Sequence, residues 1–103
     1  MGRYLLRLAF KRAAKKGLPA TIDVWWMMEK LQANVCEVTG IELELGGAPY
    51  AAFSPSIDRI DPGLGYTKKN TRLVCLIYNS AKHVNTDKDV LKMAKALMKR
   101  NEC

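Results

Sequence analysis

Residues 55–82 read PSIDRIDPGLGYTKKNTRLVCLIYNSAK, and this stretch decides the fold class. Residues 56–60 form a short β-like run, which the turn-forming sequence Asp61-Pro62-Gly63 ends. Residues 71–74 have the composition of a second strand and pass directly into residues 75–82, which have that of a helix. The order of strand, loop, strand and helix predicts an α+β domain.

The N-terminal residues 1–16 predict an amphipathic helix. They contain no acidic residue and no proline, and Gly17 and Pro19 follow as helix-ending residues. Apolar and basic side chains recur at helical spacing and fall on opposite faces. The expected apolar stripe is Leu6, Ala9, Phe10 and Ala13, and the expected basic face is Arg3, Arg7, Lys11 and Lys15.

A second helix and a hairpin are expected next. Thr21 or Asp23 can cap a helix that continues to about Ala33, with its tryptophan and methionine side chains in the core. Residues 35–45 alternate apolar residues with glutamate around Thr39-Gly40, a pattern typical of a β-hairpin.

The C-terminal segment predicts a packing helix. Thr86 and Asp89 have the spacing of a capping box. The residues that follow place an apolar face on one side of the helix, formed by Val90, Leu91, Ala94, Leu97 and Met98.

Composition limits the classes of protein to consider. The chain has 103 residues, 49% of them hydrophobic and 26% charged, which fits one soluble globular domain spanning residues 1–103. Apolar runs are too short for a membrane span or a signal peptide, so we expect a cytoplasmic protein without membrane partners. Three cysteines without an export signal predict reduced thiols or a metal role. The net charge of +7 makes nucleic acid the leading partner class, although basic domains without such a partner are common.

A pair of carboxylates lies beside a cationic segment. Asp58 and Asp61 are separated by two residues, and the basic side chains of residues 66–84 follow without an intervening acid. Two carboxylates can hold a hard divalent cation, and neighbouring cations can hold the phosphates on which it acts. The alternative is that the two carboxylates flank Arg59 and cap a turn.

Four segments occur in an order that resembles the HNH endonuclease superfamily. They are residues 36–40 (CEVTG), 55–61 (PSIDRID), 65–75 (GYTKKNTRLVC) and 78–82 (YNSAK). The sequence is more closely similar to small phage and prophage HNH-like proteins that carry an Asp-Arg-Ile-Asp run followed by Gly-Tyr and Asn. Residues 15–19 (KKGLP) also match the end of their basic N-terminal helix, so the resemblance covers most of residues 3–85.

The resemblance implies a ββα-metal core at residues 35–84, between a basic helical extension at 1–34 and a C-terminal helix at 85–103. It places Asp58 and Asn79 as ligands of a catalytic Mg²⁺ or Mn²⁺ ion, and Asn70 as the residue that braces the loop by hydrogen bonds. It also implies a DNA substrate, either double-stranded or branched. The side chains expected on DNA phosphates are Arg3, Arg7, Lys11, Arg12, Lys15, Lys16, Lys68, Lys69, Arg72 and Lys82.

Two departures from the family pattern affect its chemistry. Arg59 occupies the position of the histidine that normally acts as the general base, and a guanidinium remains protonated at neutral pH. Arg59 is then expected to bind the scissile phosphate or stabilise its developing charge. A metal-bound hydroxide would then be the nucleophile. His83 and Asp61 are the candidates for a substitute base, and Asp61 is alternatively a second metal ligand.

The second departure concerns zinc. Many HNH proteins use two Cys-x-x-Cys pairs, whereas this chain has Cys36-x-x-Thr39 and Cys75-x-x-Tyr78. Half of the thiolates are missing, so we expect no structural zinc and a packed pair of buried cysteines instead.

The resulting functional prediction is a metal-dependent DNA endonuclease or nickase that hydrolyses phosphodiester bonds. The alternative is a catalytically silent HNH-like DNA-binding or phage packaging accessory protein, which Arg59 would explain. A phage-encoded protein of either kind would act in the bacterial host cytoplasm. An RNA-binding or protein-interaction module is a third hypothesis, supported by net charge alone.

Overall fold

The order of elements is helix, helix, strand, strand, helix, helix in the computed structural model, which describes residues 2–48 and 50–102. The expectations for Met1 in the first helix and for the Cys103 thiol fall outside these residues. The helices and strands are α1 (Gly2–Lys16), α2 (Val24–Ala33), β1 (Pro55–Arg59), β2 (Thr71–Cys75), α3 (Leu76–Lys82) and α4 (Asp87–Arg100).

The two strands form an antiparallel pair, with Ile57 opposite Leu73 and Asp58 opposite Arg72. β2 runs directly into α3, so the strand–loop–strand–helix order predicted for this stretch is confirmed. The fold is therefore mixed α+β, with a two-stranded antiparallel sheet.

One cluster of buried side chains joins α1, α2, the sheet and α3. The buried face of α1 consists of Leu5, Leu6, Ala9 and Ala13, whereas the predicted core residue Phe10 is 41% exposed. Leu5 takes its place because this helix meets two neighbours, α2 on one side and β1 on the other. A helix between two partners buries a wider arc than a single stripe.

The caps of α2 and α4 agree with the sequence. Asp23 caps α2 by accepting from the backbone N–H of Trp26 at 2.9 Å. Thr86 and Asp89 form a reciprocal capping box at the start of α4. Helix starts are readable from sequence because the bonds that satisfy them are local.

The hairpin predicted at residues 35–45 is reduced to a turn closed by one bridge, without two paired strands. This segment contains a single isolated antiparallel bridge, between Val35 and Glu42. Inside the segment the Cys36 N–H donates to the Ile41 carbonyl at 2.8 Å, but Glu37 bonds to β2: its N–H donates to the Leu73 carbonyl at 3.0 Å, and its side chain accepts from the Leu73 N–H at 2.6 Å. The segment thus closes the edge of β2 rather than forming a second sheet.

The predicted packing of α4 through its apolar face is limited to Val90, which is half-buried against the core cluster. None of its residues is buried, and Leu91, Leu97 and Met98 are 53%, 62% and 68% exposed. A helical apolar pattern shows which side chains share a face but not whether another element covers that face. Within the described ranges, no helix is long and apolar enough to cross a membrane.

Candidate active site

A cleft of about 370 Å³ lies between α1, the start of the loop after β1, and α3. It contains four of the predicted catalytic residues, Asp58, Arg59, Asn79 and His83. Two basic residues of α1, spaced four apart and therefore on one helix face, border the same cleft. The lining residues are Arg12, Lys16, Ser56, Ile57, Asp58, Arg59, Pro62, Tyr66, Leu76, Asn79, Ser80, His83 and Val84.

Asp58 is an almost fully buried carboxylate, 3% exposed, with both oxygens in ion pairs. Oδ1 accepts from Lys82 Nζ at 3.1 Å, and Oδ2 accepts from Arg72 Nε at 2.8 Å. Lys82 is completely buried and also donates to the Arg59 carbonyl at 2.7 Å. The phosphate contact predicted for Lys82 does not fit this placement, because its ammonium has no access to the surface.

Arg72 extends the ion pair of Asp58 toward α4. Its Nη1 donates to Asp87 Oδ2 at 2.9 Å, and Asp87 also accepts from the Tyr78 hydroxyl. Burial opposes the charge of Arg72, but its hydrogen bonds to Asp87 and Asp58 outweigh this effect and raise its pKa. The bond from Arg72 holds the pKa of Asp87 below its ordinary value. Arg72 therefore joins sheet and helix rather than presenting its charge to a ligand.

Asn79 lies on α3 with its side-chain amide fixed against β1. Nδ2 donates to Ser56 Oγ at 2.7 Å and to the Ile57 carbonyl at 3.2 Å. Oδ1 accepts no hydrogen bond from any described residue and is left as a ligand atom beside the cleft.

Arg59 holds the loop that follows β1. Its Nη1 donates to the Pro62 carbonyl at 2.8 Å and to the Leu64 carbonyl at 3.3 Å, and its guanidinium lies 5.0 Å from the centre of the Tyr66 ring. A guanidinium has five N–H donors, so donors remain for a bound anion. Tyr66 belongs to the Gly-Tyr pair that contributes to the resemblance to HNH-like proteins, yet the sequence predicted no role for it.

His83 ends α3 and is exposed at the cleft wall. Its backbone has φ 47° and ψ −114°, a left-handed conformation that is uncommon for a residue with a side chain. Strained conformations of this kind persist where the surrounding structure holds them and often occur at functional sites.

Asn70 makes the loop-bracing hydrogen bonds expected of it. Its Oδ1 accepts from the Asp61 N–H at 2.9 Å, and its Nδ2 donates to the Asp61 and Gly65 carbonyls at 3.0 and 2.8 Å. The Asp61 carboxylate is turned into the same loop, where Oδ1 accepts from the Gly63 N–H at 2.9 Å. Neither Asp61 nor Asn70 is among the residues that line the cleft.

The loop docks on the segment between α1 and α2 through Gly65. A Cβ at this position would lie 2.2 Å from the Pro19 carbonyl oxygen, and the next N–H, of Tyr66, donates to that same oxygen at 2.9 Å. Glycine is therefore required here by close backbone approach.

We expect Gly65→Ala to lower the free energy of unfolding by about 1–3 kcal/mol, as overpacking does. Thermal unfolding followed by circular dichroism measures this loss. Gly47→Ala is the matched control, because the nearest atom to its Cβ would be 3.9 Å away. Equal melting temperatures for the two variants would contradict the required contact with Pro19.

The donor set of the cleft suits a cation shared with a phosphate. Mg²⁺ usually takes one or two protein ligands and completes its shell with water and substrate phosphate. Asp58 and Asn79 Oδ1 offer oxygen atoms of the kind that Mg²⁺ prefers. Lys82 and Arg72 already balance the charge of Asp58, and residues 2–48 and 50–102 contain no group of three or more His, Cys, Asp or Glu side chains able to hold a metal. Protein ligands alone would therefore bind the ion weakly.

The two cysteines of the expected packed pair lie side by side. Cys36 and Cys75 are both buried free thiols, and they are close enough to affect each other's ionisation. Burial and the neighbouring Cys36 raise the pKa of Cys75. The partner positions, Thr39 and Tyr78, supply no thiolate.

The basic residues predicted to contact DNA divide by location. Arg12 and Lys16 border the cleft, whereas the other α1 cations project from exposed positions outside it. Lys69 is exposed, and Lys68 lies 3.9 Å from the Asp23 carboxylate. Ser56 and Ser80 line the cleft without having been predicted, and hydroxyl residues carry no sequence signal that separates them from ordinary surface serines.

Comparison with solved structures identifies the architecture. The structure of PacI, a rare-cutting HNH restriction endonuclease described as exhibiting an extraordinary mechanism of DNA perturbation, matches with a TM-score of 0.65. The chain has an HNH-like fold. The match covers 99% of this chain and 82% of that chain at 23% sequence identity. No family model matches the sequence, and no curated protein sequence matches it.

In the HNH-like fold, the strand–loop–strand–helix unit is the part that carries Asp58, Arg59, Asn70 and Asn79. The resemblance inferred from residues 55–82 is thus supported at the level of the fold. At this identity the match shows the fold alone.

Proposed function

We propose that this protein binds DNA in the cleft and hydrolyses phosphodiester bonds in a metal-dependent reaction, as an endonuclease or nickase. The observation that carries the proposal is the juxtaposition in one cleft of Asp58, Arg59, Asn79 and His83, opposite the basic pair Arg12 and Lys16. Oxygen ligands, a nitrogen base and phosphate-binding cations are the groups that this reaction requires.

Each cleft residue has a role that its contacts allow. Arg12 and Lys16 hold the DNA backbone, and Arg59 directs its free N–H donors to the scissile phosphate while Pro62 and Leu64 hold the other side of its guanidinium. The exposed imidazole of His83 takes the proton from the attacking water, since Arg59 remains charged.

Asp58 and Asn79 would hold the divalent ion. When bound, Mg²⁺ or Mn²⁺ supplies Lewis-acid stabilisation of the charge that develops on the phosphate. The hydrogen bonds from Asn79 to Ser56 and Ile57 fix which way the amide oxygen faces, so the ligand is oriented before the ion arrives.

Incubation with supercoiled plasmid tests the proposal. We expect nicking in Mg²⁺ or Mn²⁺ and none in EDTA. Asn79→Ala and His83→Ala should each reduce the rate by about 100-fold or more, because each removes a group needed in the transition state. Asn85→Ala is the matched control, because this exposed asparagine follows the same helix and does not line the cleft.

A second candidate function is DNA binding without cleavage. Two observations favour it: the charge of Asp58 is already balanced by Lys82 and Arg72, and Arg59 braces a loop. No nicking by the native protein in either metal, together with nicking by Arg59→His, would support this function and contradict the first. Binding to DNA and RNA compared over a range of salt separates both from an RNA-binding module.

A further inference from the structure

A second cavity, of about 400 Å³, lies against the proposed phosphate-binding cleft. The two share a wall, so the cavity and the cleft lie side by side. The shared residues are Arg12, Ser56, Ile57, Tyr66 and Leu76. Away from this wall, the cavity is lined by α1 and the loop before β1.

The lining of the cavity suits a flat, neutral ring. Tyr4 and Tyr50 are 57% and 89% exposed, and neither hydroxyl makes a hydrogen bond to a described residue. Tyr50 has φ 63°, so its exposed ring is carried by a left-handed backbone that is unusual for an aromatic residue. Leu8 and Ala9 of α1 belong to the same lining and are apolar.

The cavity is less positively charged than the cleft. Glu44 and Arg12 are the one acidic and the one basic side chain among the described residues of its lining, and the Glu44 carboxylate makes no hydrogen bond to them. A carboxylate repels a phosphate but accepts a hydrogen bond from an amino group. An occupant with an exocyclic amine and no negative charge is therefore favoured.

We propose that this cavity binds an unpaired nucleobase of the same DNA strand whose phosphate occupies the cleft. The inference rests on the proposed function, because the cleft must hold that phosphate. Within one nucleotide the base and the phosphate are joined through a single sugar, which matches two adjoining sites, one cationic and one lined by aromatic rings. Tyr4 and Tyr50 stack on the base, and Glu44 accepts from the amine of adenine or cytosine.

The test compares oligonucleotides with and without bases. Fluorescence anisotropy in EDTA measures the affinity for a single strand of about 12 deoxyadenosines and for an abasic strand with the same number of phosphates. We expect the adenine strand to bind at least about tenfold more tightly. Tyr50→Ala and Tyr4→Ala should reduce that preference by roughly 5- to 100-fold, the range measured for base–aromatic stacking, whereas Tyr50→Phe should preserve it.

Two further comparisons locate the effect. Trp25→Ala removes an aromatic ring that is 77% exposed on α2 and lines neither cavity, so the preference should be unchanged. A thymine strand lacks the exocyclic amine and should bind less tightly than the adenine strand. Glu44→Gln should reduce the difference in affinity between the two strands. Equal loss in Trp25→Ala and Tyr50→Ala would overturn the assignment to the cavity.

The failure of this inference can be told from the failure of the proposed function. Tight, salt-dependent binding of the adenine and abasic strands with equal affinity would overturn the nucleobase site and leave backbone binding in the cleft intact. Binding to neither strand, and none to plasmid DNA, would overturn both.

Discussion

An Asp58→Ala variant is expected to lose about 3–5 kcal/mol of unfolding free energy, a large part of the stability of a domain of this size. The reason is that Lys82 is completely buried and would be left without its carboxylate partner, while Arg72 would keep Asp87 alone. Urea unfolding followed by circular dichroism, without added metal, measures the loss.

Two comparison variants test that explanation. Asp58→Ala combined with Lys82→Met removes both charges and should be more stable than Asp58→Ala alone, because no buried ammonium is left unpaired. Asp61→Ala, at the exposed aspartate of the same run, should change stability by less than about 1 kcal/mol. If Asp58→Ala costs no more than Asp61→Ala, the ion pair does not stabilise the core.

The stability of the Asp58 variant matters for assigning function. Loss of nicking in Asp58→Ala would not distinguish a missing metal ligand from an unfolded core. Asn79→Ala removes the second proposed ligand without leaving a buried charge unpaired, so it is the more informative variant.

The double variant Arg12→Glu with Lys16→Glu reverses the charge of both basic side chains at the cleft. We expect it to weaken DNA binding by about 10- to 100-fold. Each residue contributes one phosphate contact in the proposal, and losing both should reduce the slope of log affinity against log salt by about 2. Anisotropy titrations of a labelled duplex at several salt concentrations measure both quantities.

The same helix offers a matched control. Lys11→Glu with Lys15→Glu changes the net charge of +7 by the same amount, at exposed positions that line neither cavity. We expect a loss of only a few fold, from the general reduction in positive charge. Equal losses in the two double variants would show that DNA contacts the whole basic helix rather than the cleft.

Local patterns in the sequence determined the elements of this protein. The sequence predicted the caps of two helices, at Asp23 and Thr86, and it predicted the two strands and the helix that follows them. These features were predictable because caps and strand or helix periodicity depend on neighbouring residues. The bracing of the loop by Asn70 was expected from the resemblance. The order of these segments also indicated the HNH-like fold.

Tertiary structure alone decided which charges are buried and which faces are covered. Lys82 was predicted on a phosphate and is buried against Asp58, and most of the apolar face of α4 is exposed. Glu37 pairs with Leu73, 36 positions away. The physical reason is that burial and ion pairing depend on residues far apart in the chain, which no local pattern specifies.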